Sequence, residues 1–183
     1  MQKLVTMRGL AAAGMTVLGI LSPLALAAQT QSWSQALSLK RFQLLSAFNN
    51  DAVLDKETGL VWEQAPHAQA TPSGAAQLYC AQLTVGNRRG WRLPSIQELE
   101  SLLDTSMANP ALPAGHPFGA VNPSIYYWSA TGDAFDASRA WVMTFDDGRT
   151  TRAARCAVGG GCGEPVVPIS VWCVRGGAGT DAQ

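Results

Sequence analysis

The chain has 183 residues, with 13 basic and 13 acidic side chains, two histidines and four cysteines. That balance excludes the basic footprint of a nucleic-acid binder. The Trp, Leu and Val content argues for a packed core rather than disorder.

At the start, Lys3 and Arg8 precede an uncharged run from Gly9 to Leu26, and small residues surround Ala25-Leu26-Ala27. This is the pattern of a secretory signal peptide over residues 1–27, cleaved after Ala27. The run approaches the ~20 residues that span a bilayer, and the small-residue site favours cleavage over an anchor. No Cys stands near the site for lipid attachment, and no Arg-Arg pair precedes the run. Cleavage removes two cations and leaves 11 basic against 13 acidic side chains, a net charge near −2. The expectation is one periplasmic or secreted domain, with no membrane contact after cleavage and no nucleic-acid partner.

Residues 28–50 show no clear period and read as a lead-in to a domain over 51–177. Ala52 to Leu54 and Leu60 to Glu63 flank the polar turn Asp55-Lys56-Glu57-Thr58-Gly59, a β-hairpin signal. Thr71-Pro72 offers a helix start, with Ala76, Tyr79, Cys80 and Leu83 on one face. Ser95 and Glu98 have the spacing of a capping box, and Ile96, Leu99, Leu102 and Leu103 form the stripe of a second helix. Glu100 and Asp104 fall on its solvated side.

From Ser106 to Ser124 four prolines and two glycines leave no period, and an irregular stretch of that length is uncommon unless functional. Tyr126 to Ala130 and Ala140 to Phe145 read as strands, the second with Trp141, Met143 and Phe145 alternating against Val142 and Thr144. Asp147-Gly148 turns it into a strand from Arg149 to Ala153. Val171 to Arg175 is a last strand carrying Cys173, and residues 178–183 form a flexible tail.

All four cysteines follow the signal, so in an oxidising compartment they read as two disulfides, with three possible pairings. Cys156 and Cys162 are joined by Ala-Val-Gly-Gly-Gly, flexible enough to close a small loop, which leaves Cys80 for Cys173. A four-thiolate zinc site needs Cys-x2–4-Cys spacings, and these are absent. Two helices, short antiparallel strands and a first helix stapled to the last strand make an α+β domain with C-type-lectin-like topology.

The motifs Asp55-x-x-Thr58-Gly59-Leu60-Val61-Trp62, Tyr79-Cys80, Trp91-Arg92-Leu93-Pro94-Ser95-x-x-Glu98-Leu99, Tyr127-Trp128-Ser129-Ala130 and Cys173-Val174-Arg175 occur in this order. As a set they resemble the Lcl C-terminal domain family over roughly residues 41 to 177. The Trp-Arg-Leu-Pro-Ser segment is shared with formylglycine-generating and sulfatase-modifying domains and is less specific alone. The resemblance implies a lectin-like fold in exported or surface proteins, with adhesion and glycosaminoglycan binding in the founding adhesin. This chain lacks that adhesin's collagen-like Gly-x-y stalk. Fold alone does not license function.

Chemistry-bearing residues are few. Calcium-dependent lectins use Glu-Pro-Asn or Gln-Pro-Asp, and the nearest match, Glu164-Pro165-Val166, lies after Cys162 and lacks the amide. Asp133, Asp136, Asp146 and Asp147 could gather oxygens for a hard cation, although Asp146-Asp147-Gly148 reads first as a turn. His67 and His116 lie in Pro-containing loops away from any Ser, Cys or carboxylate motif and read as exposed. No cofactor is implied. Trp91 is expected in the core and Arg92 on a carboxylate or carbonyl. Arg139, Arg149, Arg152 and Arg155 gather around the second hairpin, and two readings stand: an anion patch with a guanidinium free for sulfate or carboxylate, or a solvated face balanced by aspartates. The expected ligand-binding set is Arg139, Arg149, Arg152, Asp146 and Asp147.

The function expected is a non-enzymatic binding module for a glycan, an anionic polymer or polysaccharide, or a surface protein. Its long loop and second hairpin would make the contact. A structural or assembly subunit of a cell-surface system is the alternative, and an unrecognised hydrolase comes last.

Overall fold

The computed structural model describes residues 41–155 and 168–176. The proposed signal peptide, most of the lead-in, the tail, the Cys156–Cys162 pair and Glu164-Pro165-Val166 lie outside the described residues.

The first sheet is built from β1 (Phe42–Leu44), β2 (Ala52–Asp55), β3 (Val61–Glu63) and β8 (Val174–Arg175), in the order β1-β2-β3-β8, all antiparallel. The second contains β4 (Tyr126–Gly132), β5 (Arg139–Thr144), β6 (Thr150–Ala154) and β7 (Ile169–Ser170), in the order β6-β5-β4-β7. β7 joins β4 in parallel. Helices α1 (Ser73–Gln82) and α2 (Ile96–Ser101) lie between β3 and β4 in sequence. The molecule is therefore α+β, with two α-helices and a short 3-10 helix (Ser46–Phe48) among the described residues and mainly antiparallel sheets.

Local sequence explains most of these elements. Ser95 caps α2, its hydroxyl accepting from Glu98 N–H at 3.1 Å while the Glu98 carboxylate accepts from Ser95 N–H at 2.8 Å. Ile96, Leu99 and Leu102 are buried, and Leu103 packs against them from a half-buried site. The β2–β3 turn is held by Asp55, whose carboxylate accepts from Glu57 N–H and the Thr58 hydroxyl. Gly59 closes that turn at φ +72°, where a side chain would be strained.

The structure corrects several boundaries. Helix α1 begins at Ser73 with Pro72 in the cap position, and the Thr71 hydroxyl bonds Gln69 carbonyl instead of capping. Pro72 has extended ψ, so the helix cannot start earlier. Strand β5 does not alternate between core and solvent. Val142 (1% exposed) and Thr144 (5%) are buried along with Met143 and Phe145, because the second sheet has a core cluster on each face. The expected last strand, Val171 to Arg175, is strand only at β8, and the intervening Val171-Trp172-Cys173 separates it from a further strand, β7, just before it.

Those three intervening residues are fully buried and join the sheets, since β7 belongs to one and β8 to the other. Trp172 lies at the centre, its ring 4.9 Å from Phe118, 5.3 Å from Phe145, 5.5 Å from Trp62 and 5.9 Å from Tyr127. Its indole N–H donates to Glu63 carbonyl at 2.9 Å. Cys173 forms the disulfide to Cys80 of α1, across a sequence separation of 93.

The folded unit also extends into the lead-in. Arg41 donates two hydrogen bonds to Asp55, at 2.9 and 2.7 Å, and a third to Ser101 carbonyl at 2.6 Å, tying β2 to the end of α2. Phe42 and Phe48 are buried core residues.

Candidate functional site

The expected arginine patch is divided by strand geometry. The β5–β6 register pairs Arg139 with Ala154 and Trp141 with Arg152, while Arg149 lies at the turn beyond Thr144. Five residues of strand therefore separate Arg139 from the Arg149 end, about 17 Å. The structure brings Arg139 and Arg152 together with the β4–β5 loop and leaves Arg149, Asp146 and Asp147 at the opposite end.

At the turn, Asp147 accepts from Arg149 N–H at 3.0 Å and from its guanidinium at 3.1 Å. Desolvation pushes the Asp147 carboxyl up, and these hydrogen bonds outweigh it, so the group stays below the usual carboxylate range. Asp146 is half-buried, its backbone occupied by Thr144 hydroxyl and Asn109 N–H. Gly148 has φ +77°, and a Cβ there would come within 2.7 Å of Leu103. The sequence Asp146-Asp147-Gly148 is thus a packed hairpin turn.

At the other end Arg152 meets Asp133 at 3.1 Å and Arg139 meets Asp136 at 3.3 Å. Arg155 donates to Ala130 carbonyl at 3.4 Å. The expectation of an unpaired guanidinium fails for Arg139, Arg149 and Arg152: each faces an aspartate, as the solvated, balanced reading anticipated.

The β4–β5 loop is organised by its own side chains. Asp133 accepts from Phe135 N–H at 3.0 Å, and Asp136 accepts from the N–H and hydroxyl of Ser138. Asp133 N–H donates to Arg139 carbonyl, and Arg155 N–H to Ser138 carbonyl. The Phe135 N–H, then Arg152, draws the Asp133 carboxyl below its ordinary value; the Ser138 hydroxyl and N–H do the same for Asp136. Both are carboxylates at neutral pH. This hydrogen-bonded loop holds Phe135 95% exposed. Behind it, the Arg152 guanidinium lies 5.6 Å from the centre of the half-buried Trp141 ring.

Sequence reasoning missed Phe135 because no period marks it. The available signal was the run Asp133-x-Phe135-Asp136-x-Ser138, two side-chain-capped turns around one aromatic residue.

The long irregular segment is closed against the core. Ala111 and Leu112 are buried, Ala111 N–H donates to Phe145 carbonyl at 2.6 Å, and Phe118 packs on Phe42 and Trp172. The Tyr127 hydroxyl and Gln64 amide pin it further, through Asn122 and Pro117. Ser106, Asn109, Gly115, Ala120, Asn122 and Ser124 along it remain exposed.

Neither histidine is exposed, contrary to expectation. His67 is half-buried with its ring 4.4 Å from Tyr79, and His116 packs 5.8 Å from Phe118 with a buried Nδ1, so that burial lowers its pKa. Both lie over aromatic rings that supply the burial.

Glu63 stands apart chemically. Its carboxyl is buried, accepts from Cys173 N–H at 2.8 Å and the Tyr79 hydroxyl at 3.3 Å, and is pushed by burial up to about 7. Burial, with Glu63 beside it, also raises Tyr79 to about 12.

A shallow cleft of about 320 Å³ between α1 and β4 is lined by Gln77, Ala81, Trp91, Arg92, Leu93, Ser95 and Ala130. Arg92 in its wall is engaged with the protein itself. Its guanidinium donates to both oxygens of Glu98 at 2.7 Å and to the carbonyls of Leu93 and Gly176. Trp91, 3% exposed, fills core as expected.

Among the described residues no group of three or more His, Cys, Asp or Glu side chains is placed to hold a metal ion, and no helix is long and apolar enough to cross a membrane. No curated protein matches the chain. The sequence model of the Lcl C-terminal domain matches residues 51–175, a span that takes in the Asp55 turn, the disulfide, the Arg92–Glu98 pair and the whole second sheet, and the chain belongs to that family.

Proposed function

We propose that this chain is an exported, non-enzymatic binding module with a C-type-lectin-like fold, acting in the periplasm or outside the cell. The observation that carries the reading is the β4–β5 loop. A fully exposed aromatic ring is held on a turn fixed by hydrogen bonds, beside exposed Arg139 and Arg152 and half-buried Asp136. Such a preorganised surface makes contact at low entropic cost, and contact residues concentrate on loops held by a rigid frame. The disulfide between Cys80 and Cys173 agrees with an oxidising compartment. A second bridge between Cys156 and Cys162 is part of this proposal, as are the cleaved signal peptide and a role in adhesion.

The test is a glycan array with and without calcium, run beside a pull-down from surface extracts. Saccharide hits that persist in EDTA support the reading. Protein capture without any saccharide hit favours an assembly subunit, and turnover of an arrayed glycan overturns the non-enzymatic part.

A further inference from the structure

Within the binding-module reading, we propose that the β4–β5 loop face is a site for an uncharged saccharide. The ligand class follows from the charge and hydrogen-bond inventory of the face. Arg139 and Arg152 each lie against an aspartate, both aspartates remain ionised at neutral pH, and Arg155, the third arginine of this end, donates to Ala130 carbonyl. An incoming sulfate or uronate would meet Asp136, 43% exposed, on reaching for Arg139, and Asp133 on reaching for Arg152. The attraction and repulsion largely cancel at that range. An isolated cation is likewise opposed by Arg139 and Arg152, which are 52% and 48% exposed.

A sugar ring suits the same inventory. Adjacent hydroxyls donate and accept together, so they match a surface that offers carboxylate acceptors beside guanidinium donors. The C–H face of the ring matches an exposed aromatic, and Phe135 supplies one. Asp133 is 3% exposed and acts as a positioning residue, accepting from Phe135 N–H with one oxygen and from Arg152 with the other. A protein partner fits less well: a stable interface needs about 800 Å² on each side with an apolar centre, and this loop offers one large apolar side chain among Asp, Ser, Ala and Arg.

Affinity electrophoresis of the full mature protein tests the proposal, using gels that contain dextran, mannan or galactan, with dextran sulfate and heparin as charged counterparts. Retardation by at least one neutral polymer is expected, unchanged from about 50 to 500 mM NaCl, a range that shortens the screening length several-fold. Phe135→Ala should weaken that retardation at least about fivefold, the worth of one aromatic contact. Its thermal midpoint should match the parent, because the side chain is exposed. Arg149→Ala, at the far end of the hairpin, should bind as the parent does. Retardation only by dextran sulfate or heparin, falling with salt, overturns the ligand class while leaving a binding module. Neutral binding that survives Phe135→Ala overturns the site. No retardation by any polymer overturns the saccharide inference, and the pull-down then decides the broader reading separately.

Discussion

Two hairpin turns in this molecule carry an aspartate facing an arginine, and they work differently. In the β2–β3 turn Asp55 is fully buried and Arg41 is 13% exposed; the pair links β2, the chain before β1 and the end of α2. In the β5–β6 turn Asp147 and Arg149 are more than half exposed and belong to one local loop. A buried pair leaves an uncompensated charge when broken, whereas an exposed one hands its groups back to water. The first sheet, with α1 and the disulfide, therefore uses its polar groups to hold the fold. The β4–β5–β6 end keeps them at the surface, where a ligand can reach them.

The largest test of this contrast is the staple. Replacing Cys80 and Cys173 together with Ser opens a loop of 93 residues, and the chain-entropy model sets the loss near 4 to 5 kcal/mol. Urea unfolding should show it as a fall in midpoint. A loss below about 1 kcal/mol would mean that Trp172 packing alone holds the sheets together.

Next comes the buried ion pair. Arg41→Ala removes the cation from Asp55 and should cost about 3 kcal/mol or more, measured by the same unfolding curves. Burial raises the Asp55 carboxyl, but Arg41, Glu57 N–H and Thr58 together hold it below 3.8. Its contribution is thus present above that value and fades as pH falls through the lower folded value.

Glu63 has the opposite sign. With a folded value of about 7 against an ordinary 4.5, the folded state binds the proton more tightly than the unfolded chain. Its stabilisation is complete below pH 4.5 and declines as pH rises to about 7. Glu63→Gln should flatten that window, where the parent loses on the order of 2 kcal/mol. A parent whose thermal midpoint is constant from pH 4.5 to 7 would show that Glu63 stays ionised in the folded state.

The smallest effect is expected at the exposed turn. Arg149→Ala should leave the unfolding midpoint unchanged at neutral pH, since its partner is local and solvated. A clear destabilisation there would remove the distinction between the two turns.

Much of the architecture is readable from local patterns. The capping box at Ser95 and Glu98, the Asp55–Gly59 turn, Cys80 on the inner face of α1 and its partner Cys173 all rest on short-range chemistry that the folded chain retains. Family membership was likewise carried by short motifs in order. Three things required the assembled tertiary structure. Arg41 looks like an ordinary lead-in cation, and only the packing of β2 against α2 gives it Asp55 and Ser101 carbonyl. Val142 and Thr144 alternate with the apolar face of β5 in sequence, and only the packed structure places a second core cluster over them. The arginines of the second hairpin form one basic group along the chain, yet strand register sends Arg149 to one end, where Asp147 meets it, and Arg139 and Arg152 to the other, where the β4–β5 loop brings Asp136 and Asp133 to them. Periodicity describes one element at a time. Which charges meet, and which aromatic is left in the open, depends on contacts between residues far apart in the chain, and those exist only after the sheets have packed.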